Sequence, residues 1–197
     1  MDTVTRDAAT QLGVSQRQVQ RLARDGRVLS REIAGRRVVS SRSLIAASRS
    51  AGRGRSWEGN TVVAACELLL TGATDRMSGS QRTRLRARLR TISISDLAYQ
   101  VLSDRVTLWR STRPTSRDRE SDGLTSTGQR LDVKVTRDAA AFARRARLLA
   151  DADGDTLIVE LDLDATAVVE DLALYAYGDE RTSVLARQRI ERLQSEL

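Results

Sequence analysis

Histidine is absent from this chain of 197 residues, and cysteine occurs once, as Cys66. Without histidine there is no imidazole general base, no histidine-containing catalytic triad and none of the usual zinc sites, so metal chemistry could rest only on carboxylates. A single thiol cannot form a disulfide within one chain. Cys66 lies in the apolar helical run VVAACELLL and reads as a buried small hydrophobe of a cytoplasmic protein. Aromatic residues make up 3% of the chain, too few to line the apolar pocket that a small-molecule sensor usually has. No run of about 18 apolar residues occurs, so no membrane-spanning helix is expected. The N-terminus lacks the charged-then-apolar pattern of a secretory signal. No cofactor and no membrane partner are expected.

What is present is arginine, which supplies all but one of the 33 basic residues, the exception being Lys134. Net charge is +7 and the isoelectric point is near 10.7. The charge is unevenly spread. Residues 1–56 carry a net +8 and residues 151–197 a net −8, with +4 and +3 over 57–114 and 115–150. A basic head suits a polyanion such as double-stranded DNA, and an acidic tail suits a different, basic surface.

The head has an organised pattern. In TRDAATQLGVSQRQVQRL, from Thr5 to Leu22, Ala8, Ala9 and Leu12 share one helical face. Gly13 can supply the positive φ of a sharp corner, and Ser15 is a good N-cap for a second helix carrying Val19 and Leu22. Two short helices across a tight turn are the layout of a helix-turn-helix, whose second helix enters the major groove. Gly26 is placed to stop that helix. Residues 28–33 and 37–39 read as two short strands joined at Ala34-Gly35-Arg36, a hairpin, and Ser41 then caps a third helix with Leu44 and Ile45.

Residues 48–60, SRSAGRGRSWEGN, have the composition of a flexible connector. The division expected is therefore a DNA-binding domain over 1–48, a linker over 49–60 and a mixed α/β interaction domain over 61–197, an α+β chain as a whole. In the second domain, helices are expected over 61–70, 80–91, 95–102 (capped by Ser95) and 138–149, and strands over 106–110, 131–135 and 156–163. A long mobile loop is expected over 111–130. The remainder reads as helical, broken at Tyr177-Gly178-Asp179, with a final helix over 182–193.

The order helix, turn, helix, hairpin, helix, with the AA..LGVS...V.RL...G run, the G-R-R hairpin tip and the S-x-S-L helix start, resembles the excisionase and MerR-type winged helix-turn-helix domains over about 45 residues. The resemblance implies a division of labour. Ser15, Gln16, Arg17, Gln18 and Arg21 would lie at or near the start of the recognition helix, where Arg reads guanine and Gln reads adenine. Arg36 and Arg37 on the wing would reach a phosphate or the minor groove, and Arg6, Arg24 and Arg27 would contact phosphates.

From Trp57 onward, the patterns W…VAA..LL.G, S..QR.RLR.RLR and A.VV.DLALY..GDERT..LA...IERL are similar to actinobacterial antitoxin regulators of the abortive-infection type. That similarity implies a second domain that holds a toxin protein or forms a homodimer. It also implies a repressor of its own operon, acting in the cytoplasm at the nucleoid.

Two other readings arise from the same residues. A phage-type excisionase or architectural DNA-binding protein would use the winged head alone and leave the remaining residues unexplained. A restriction-like nuclease would use Asp122, Asp132 and Lys134, two carboxylates for a divalent ion and a lysine to activate water. On a strand, however, Asp132 and Lys134 are both on one face and read as its solvent side.

Overall fold

The computed structural model describes residues 2–24, 28–33, 35–50, 55–112, 131–164 and 166–197, the side chains of residues 2–4 and 36 excepted. Its secondary structure is mixed α+β. The first fifty residues run β1 (Asp2–Val4), α1 (Thr5–Leu12), α2 (Gln16–Arg24), β2 (Ser30–Ile33), β3 (Arg36–Ser40) and α3 (Ser41–Arg49). β3 is the central strand of an antiparallel sheet in the order β1-β3-β2, and the pair Ile33 and Arg36 closes the β2–β3 hairpin. Arg36 therefore belongs to a strand rather than to the hairpin turn. β1 is absent from the sequence reading because three residues carry no alternation to detect. Ala8, Ala9, Val19, Val28, Val39 and Leu44 form the buried cluster of this unit, with Leu12, Val14, Leu22 and Ala47 packed on it. Ser40, not Ser41, caps α3, its Oγ accepting from the Ser43 N–H at 3.2 Å. Gly26 lies outside the described residues.

The rest of the chain runs α4 (Gly59–Thr71), α5 (Gly79–Thr91), α6 (Ile94–Leu102), β4 (Val106–Ser111), β5 (Asp132–Thr136), α7 (Ala139–Ala146), β6 (Leu148–Ala150), β7 (Thr156–Glu160), α8 (Ala167–Tyr177) and α9 (Glu180–Glu196). The sheet order is β5-β7-β4-β6, with β5 and β7 parallel and the other pairs antiparallel. The parallel pair is joined through α7, as a parallel pair requires a crossover. β7 (TLIVE) is an interior strand, and its first four residues are buried.

Several boundaries differ from the sequence reading: β7 ends at Glu160 rather than at residue 163, α9 runs over Glu180–Glu196 rather than 182–193, and two further differences have a clear physical reason. Residues 148–150 form strand β6 rather than the end of α7, because Arg147 takes a left-handed conformation (φ 55°) and stops the helix. α6 is capped by Ser93 instead of Ser95, with Ser93 Oγ accepting from the Asp96 N–H at 3.1 Å. Most of the loop expected over 111–130 lies outside the described residues; Ser111 itself ends β4.

The large core gathers α4, α6 and α8 around β7. Val62, Leu68, Leu97, Val101, Leu157, Val159, Val168 and Leu172 are all fully buried there. Each such side chain contributes roughly 1.5–3 kcal/mol relative to exposure. α4 is buried nearly all round, as an interior helix should be, and Cys66 is enclosed within it.

The two units meet through α3. Ala46 on α3 and Leu29 join the large core rather than the small one. At the end of α3, the Arg49 guanidinium donates to the Tyr175 carbonyl (3.3 Å), the Gly178 carbonyl (2.7 Å) and Glu180 (2.7 Å), while Tyr175 donates its hydroxyl to the Arg49 carbonyl (3.2 Å). The connector expected over 49–60 is thus held at its described ends. Trp57 is only 8% exposed, and its backbone N–H donates to the Gln100 carbonyl at 3.2 Å. Arg105 donates to the Trp57 carbonyl from the other side. Residues 51–54 lie outside the described residues.

Candidate nucleic-acid interface

The corner between α1 and α2 is fixed by backbone chemistry. Gly13 has φ +64°, a conformation a side chain resists. Its N–H donates to the Thr10 carbonyl (3.2 Å), and the Val14 N–H donates to the Ala9 carbonyl (3.0 Å). This pair of bonds is the Schellman arrangement, and it satisfies carbonyls that the end of α1 would leave open. Two residues later α2 begins with a reciprocal cap. Ser15 Oγ accepts from the Gln18 N–H (3.2 Å), and Gln18 Oε1 accepts from the Ser15 N–H (2.9 Å) and from the Ser15 hydroxyl (3.1 Å). Ser15 and Gln18 therefore form a capping box, in which each side chain satisfies the other's backbone donor.

That geometry sorts the residues singled out from sequence. Gln18 is engaged with Ser15 through its amide oxygen, the atom it would need for a bidentate contact to adenine, so in this conformation it is a helix cap. Ser15 serves the same cap. Gln16, Arg17, Arg21 and Arg24 are exposed. Val19, fully buried, marks the inner face of α2, and Arg17, Arg21 and Arg24 follow at the spacings that put them on the outer face. These three line one shallow concavity together with Gln20, which the sequence reading passed over. The spacing 17, 20, 21, 24 was the signal that would have found it. α2 contains no acidic residue, and none of its arginines forms an ion pair with a described residue.

On the hairpin, Arg37 is exposed and stands opposite Glu32 in the register; its carbonyl accepts from Thr5 Oγ1 at 3.1 Å. Arg36 is placed at the strand start, opposite Ile33. Arg6 is exposed on α1. Arg27 lies outside the described residues.

The acidic tail turns much of its charge back onto the chain. Asp151 faces Arg31 (3.7 Å) and Arg110 (2.7 Å), Glu180 faces Arg49, Asp162 faces Arg137 and Asp171 faces Arg189 (2.8 Å). Burial lowers the pKa of Arg42 on α3, and the nearby Asp155, Asp153 and Asp179 oppose that shift. Burial likewise raises Asp171, against the pull of Arg189. Carboxylates of the tail thus stabilise the seat of the basic N-terminal unit.

Asp132 and Lys134, the candidate nuclease pair, occupy β5 and bond to each other (Nζ to Oδ1, 2.9 Å) with side chains 59% and 43% exposed. Asp122 lies outside the described residues. Among the described residues no three carboxylate or thiol groups gather to hold a metal ion, and no helix is long and apolar enough to cross a membrane. Compared with protein-family models, curated proteins and solved structures, the chain has no match in any of the three.

Proposed function

We propose that this chain is a sequence-specific double-stranded DNA-binding regulator whose N-terminal unit works as a winged helix-turn-helix. The observation that carries the reading is the outer face of α2. Arg17, Gln20, Arg21 and Arg24 share one exposed concavity, opposite fully buried Val19, on a helix whose start is rigidly set by the Gly13 corner and the Ser15–Gln18 cap. Arg17 and Arg21 are the base-reading residues, with Gln16 and Gln20 beside them. Arg24, Arg36 and Arg37 contact the phosphate backbone or a neighbouring groove, and α2 lies in the major groove.

In this reading the protein represses the operon that encodes it, in the cytoplasm at the nucleoid, and its second unit holds a cognate toxin or a second copy. The partner half of the proposal rests on the sequence patterns from Trp57 onward, which resemble abortive-infection antitoxin regulators. The test is a gel titration against DNA from upstream of the chain's own gene, with excess nonspecific competitor. A sharp, competitor-resistant shift is expected. Equal loss of every complex to competitor would refute sequence-specific repression.

A further inference from the structure

We propose that α5 is a second DNA-contacting surface, one that grips the phosphate backbone of duplex DNA outside the site read by α2. The inference rests on the DNA-binding reading above but on different residues.

The helix GSQRTRLRARLRT contains five arginines and no acidic residue. Only Leu85 and Leu89 are buried, so they define the inner face. At 100° per residue the opposite pole is Ser80, Thr83, Ala87 and Thr91, all small and all exposed. Arg84 and Arg88 border this ridge on one side, Arg86 and Arg90 on the other. A ridge of short side chains lets a phosphodiester strand approach the helix, and the exposed Arg84 and Arg88 guanidiniums offer forked donors to its oxygens.

None of Arg82, Arg84, Arg86 and Arg88 pairs with a carboxylate among the described residues. Arg82 and Arg86 donate to the Thr74 and Gly72 carbonyls, which leaves their charge uncompensated. Arg90 donates to the main-chain oxygen of Leu197, and Arg88 lies over the Trp57 ring, 5.1 Å from its centroid. Arg84 makes no hydrogen bond or ion pair with any described residue. Other arginines do have carboxylate partners (Arg31, Arg49, Arg110, Arg137, Arg187, Arg189 and Arg192), whereas those of α2, like Arg82 to Arg88 here, have none among the described residues. α5 thus concentrates unneutralised positive charge on an exposed face, and its complement is a polyanion.

The test uses the full chain with Arg84→Gln/Arg88→Gln, its Lys counterpart Arg84→Lys/Arg88→Lys, and the single variant Arg84→Gln, which removes no described contact. Binding is titrated on a cognate and a scrambled duplex over a range of salt, and on single-stranded RNA and polyglutamate as control polyanions. Each lost phosphate contact should lower the slope of log K against log[salt] by about 0.9. The expected result is a slope reduced by about two in the double Gln variant and by about one in Arg84→Gln, with affinity lost equally for both duplexes. The Lys variant should keep the slope. An unchanged slope in Arg84→Gln and the double variant, with cognate binding intact, would overturn the α5 assignment and leave the α2 reading standing. Loss confined to single-stranded RNA or to polyglutamate, with duplex binding intact, would also overturn it. Absence of any sequence preference in the wild type would instead remove the α2 reading.

Discussion

Arg49, the last residue of α3, donates to the backbone carbonyl of Gly178 at 2.7 Å, across a separation of 129 residues. The same guanidinium reaches Tyr175 and Glu180, so the helix that closes the N-terminal unit is pinned to the corner between α8 and α9. If the outer face of α2 binds DNA as proposed, this seat sets its orientation relative to the second unit. A protein bound at α8 or α9 would act directly on that seat.

Removing the pin should therefore be costly. Hydrogen bonds from a charged donor contribute about 1.5–3 kcal/mol, so Arg49→Ala should lower unfolding stability by about 2 kcal/mol in urea titration. Arg49→Lys should recover only part of this, because an ammonium on a single stem does not reproduce the planar fork that serves separate acceptors. Stability equal to wild type in Arg49→Ala would show that the junction is held by Ala46 and its apolar neighbours alone.

Gln18 and Arg17 should separate cap from reader. Gln18→Ala breaks the reciprocal cap with Ser15 and should cost about 1 kcal/mol of stability while leaving sequence preference in place. Arg17→Ala should leave the melting temperature unchanged and lower the preference for the cognate site. A reversed pattern, with Gln18→Ala losing specificity at constant stability, would mean that the cap opens on DNA and the side chain reads a base.

Two glycines should respond very differently to alanine. At Gly13 an added Cβ meets nothing within 4 Å, so only the left-handed backbone opposes it, a cost of about 1–2 kcal/mol. At Gly154 the Cβ would fall 1.9 Å from the Trp109 carbonyl oxygen, on the backbone of β4. That clash cannot be relieved by rotating a side chain, and Gly154→Ala should destabilise by more than about 3 kcal/mol. Thermal melts of the two variants compare them directly.

The buried thiol sets an alkaline limit. Burial, aided by Glu67, pushes Cys66 from 9.0 up to about 12. Its folded pKa is raised, so between these values the unfolded chain has released a proton that the folded chain keeps, and stability falls as pH rises. Below pH 9.0 the contribution is complete. Cys66→Ala should flatten this part of the stability–pH curve, at the cost of a smaller core side chain. A thiol reagent at pH 8 should modify the wild-type protein only after denaturant is added; rapid labelling of the native chain would contradict the burial.

Much of this architecture was legible in the sequence. The apolar run of α4, the Leu85–Leu89 pair of α5 and the alternation in β5 each satisfied one periodicity only. The Gly13 corner and the Ser15 cap followed from residue chemistry. Ser15 and Gln18 stand in S-x-x-Q spacing, which signals a capping box, yet glutamine on a helix of this kind suggests base reading first. β6 was illegible because Arg147, not glycine, takes the left-handed stop, and a basic residue there reads as a continuing helix. The α3–α8 seat depends on Arg49 meeting backbone carbonyls far along the chain, and carbonyls leave no mark in a sequence. Trp57 looked like a connector residue because its neighbours are small and polar. Its place in the core is set by contacts from α6 and Arg105.

Base reading by α2 is decided by a competition titration of wild type and the Arg17→Ala/Arg21→Ala variant, each on the cognate and the scrambled duplex at one salt concentration. The expected ratio of affinities is well above one in the wild type and near one in the variant, with both proteins equally folded and still able to bind DNA nonspecifically. A variant that keeps the wild-type ratio would contradict the assignment of the outer face of α2 as the base-reading surface.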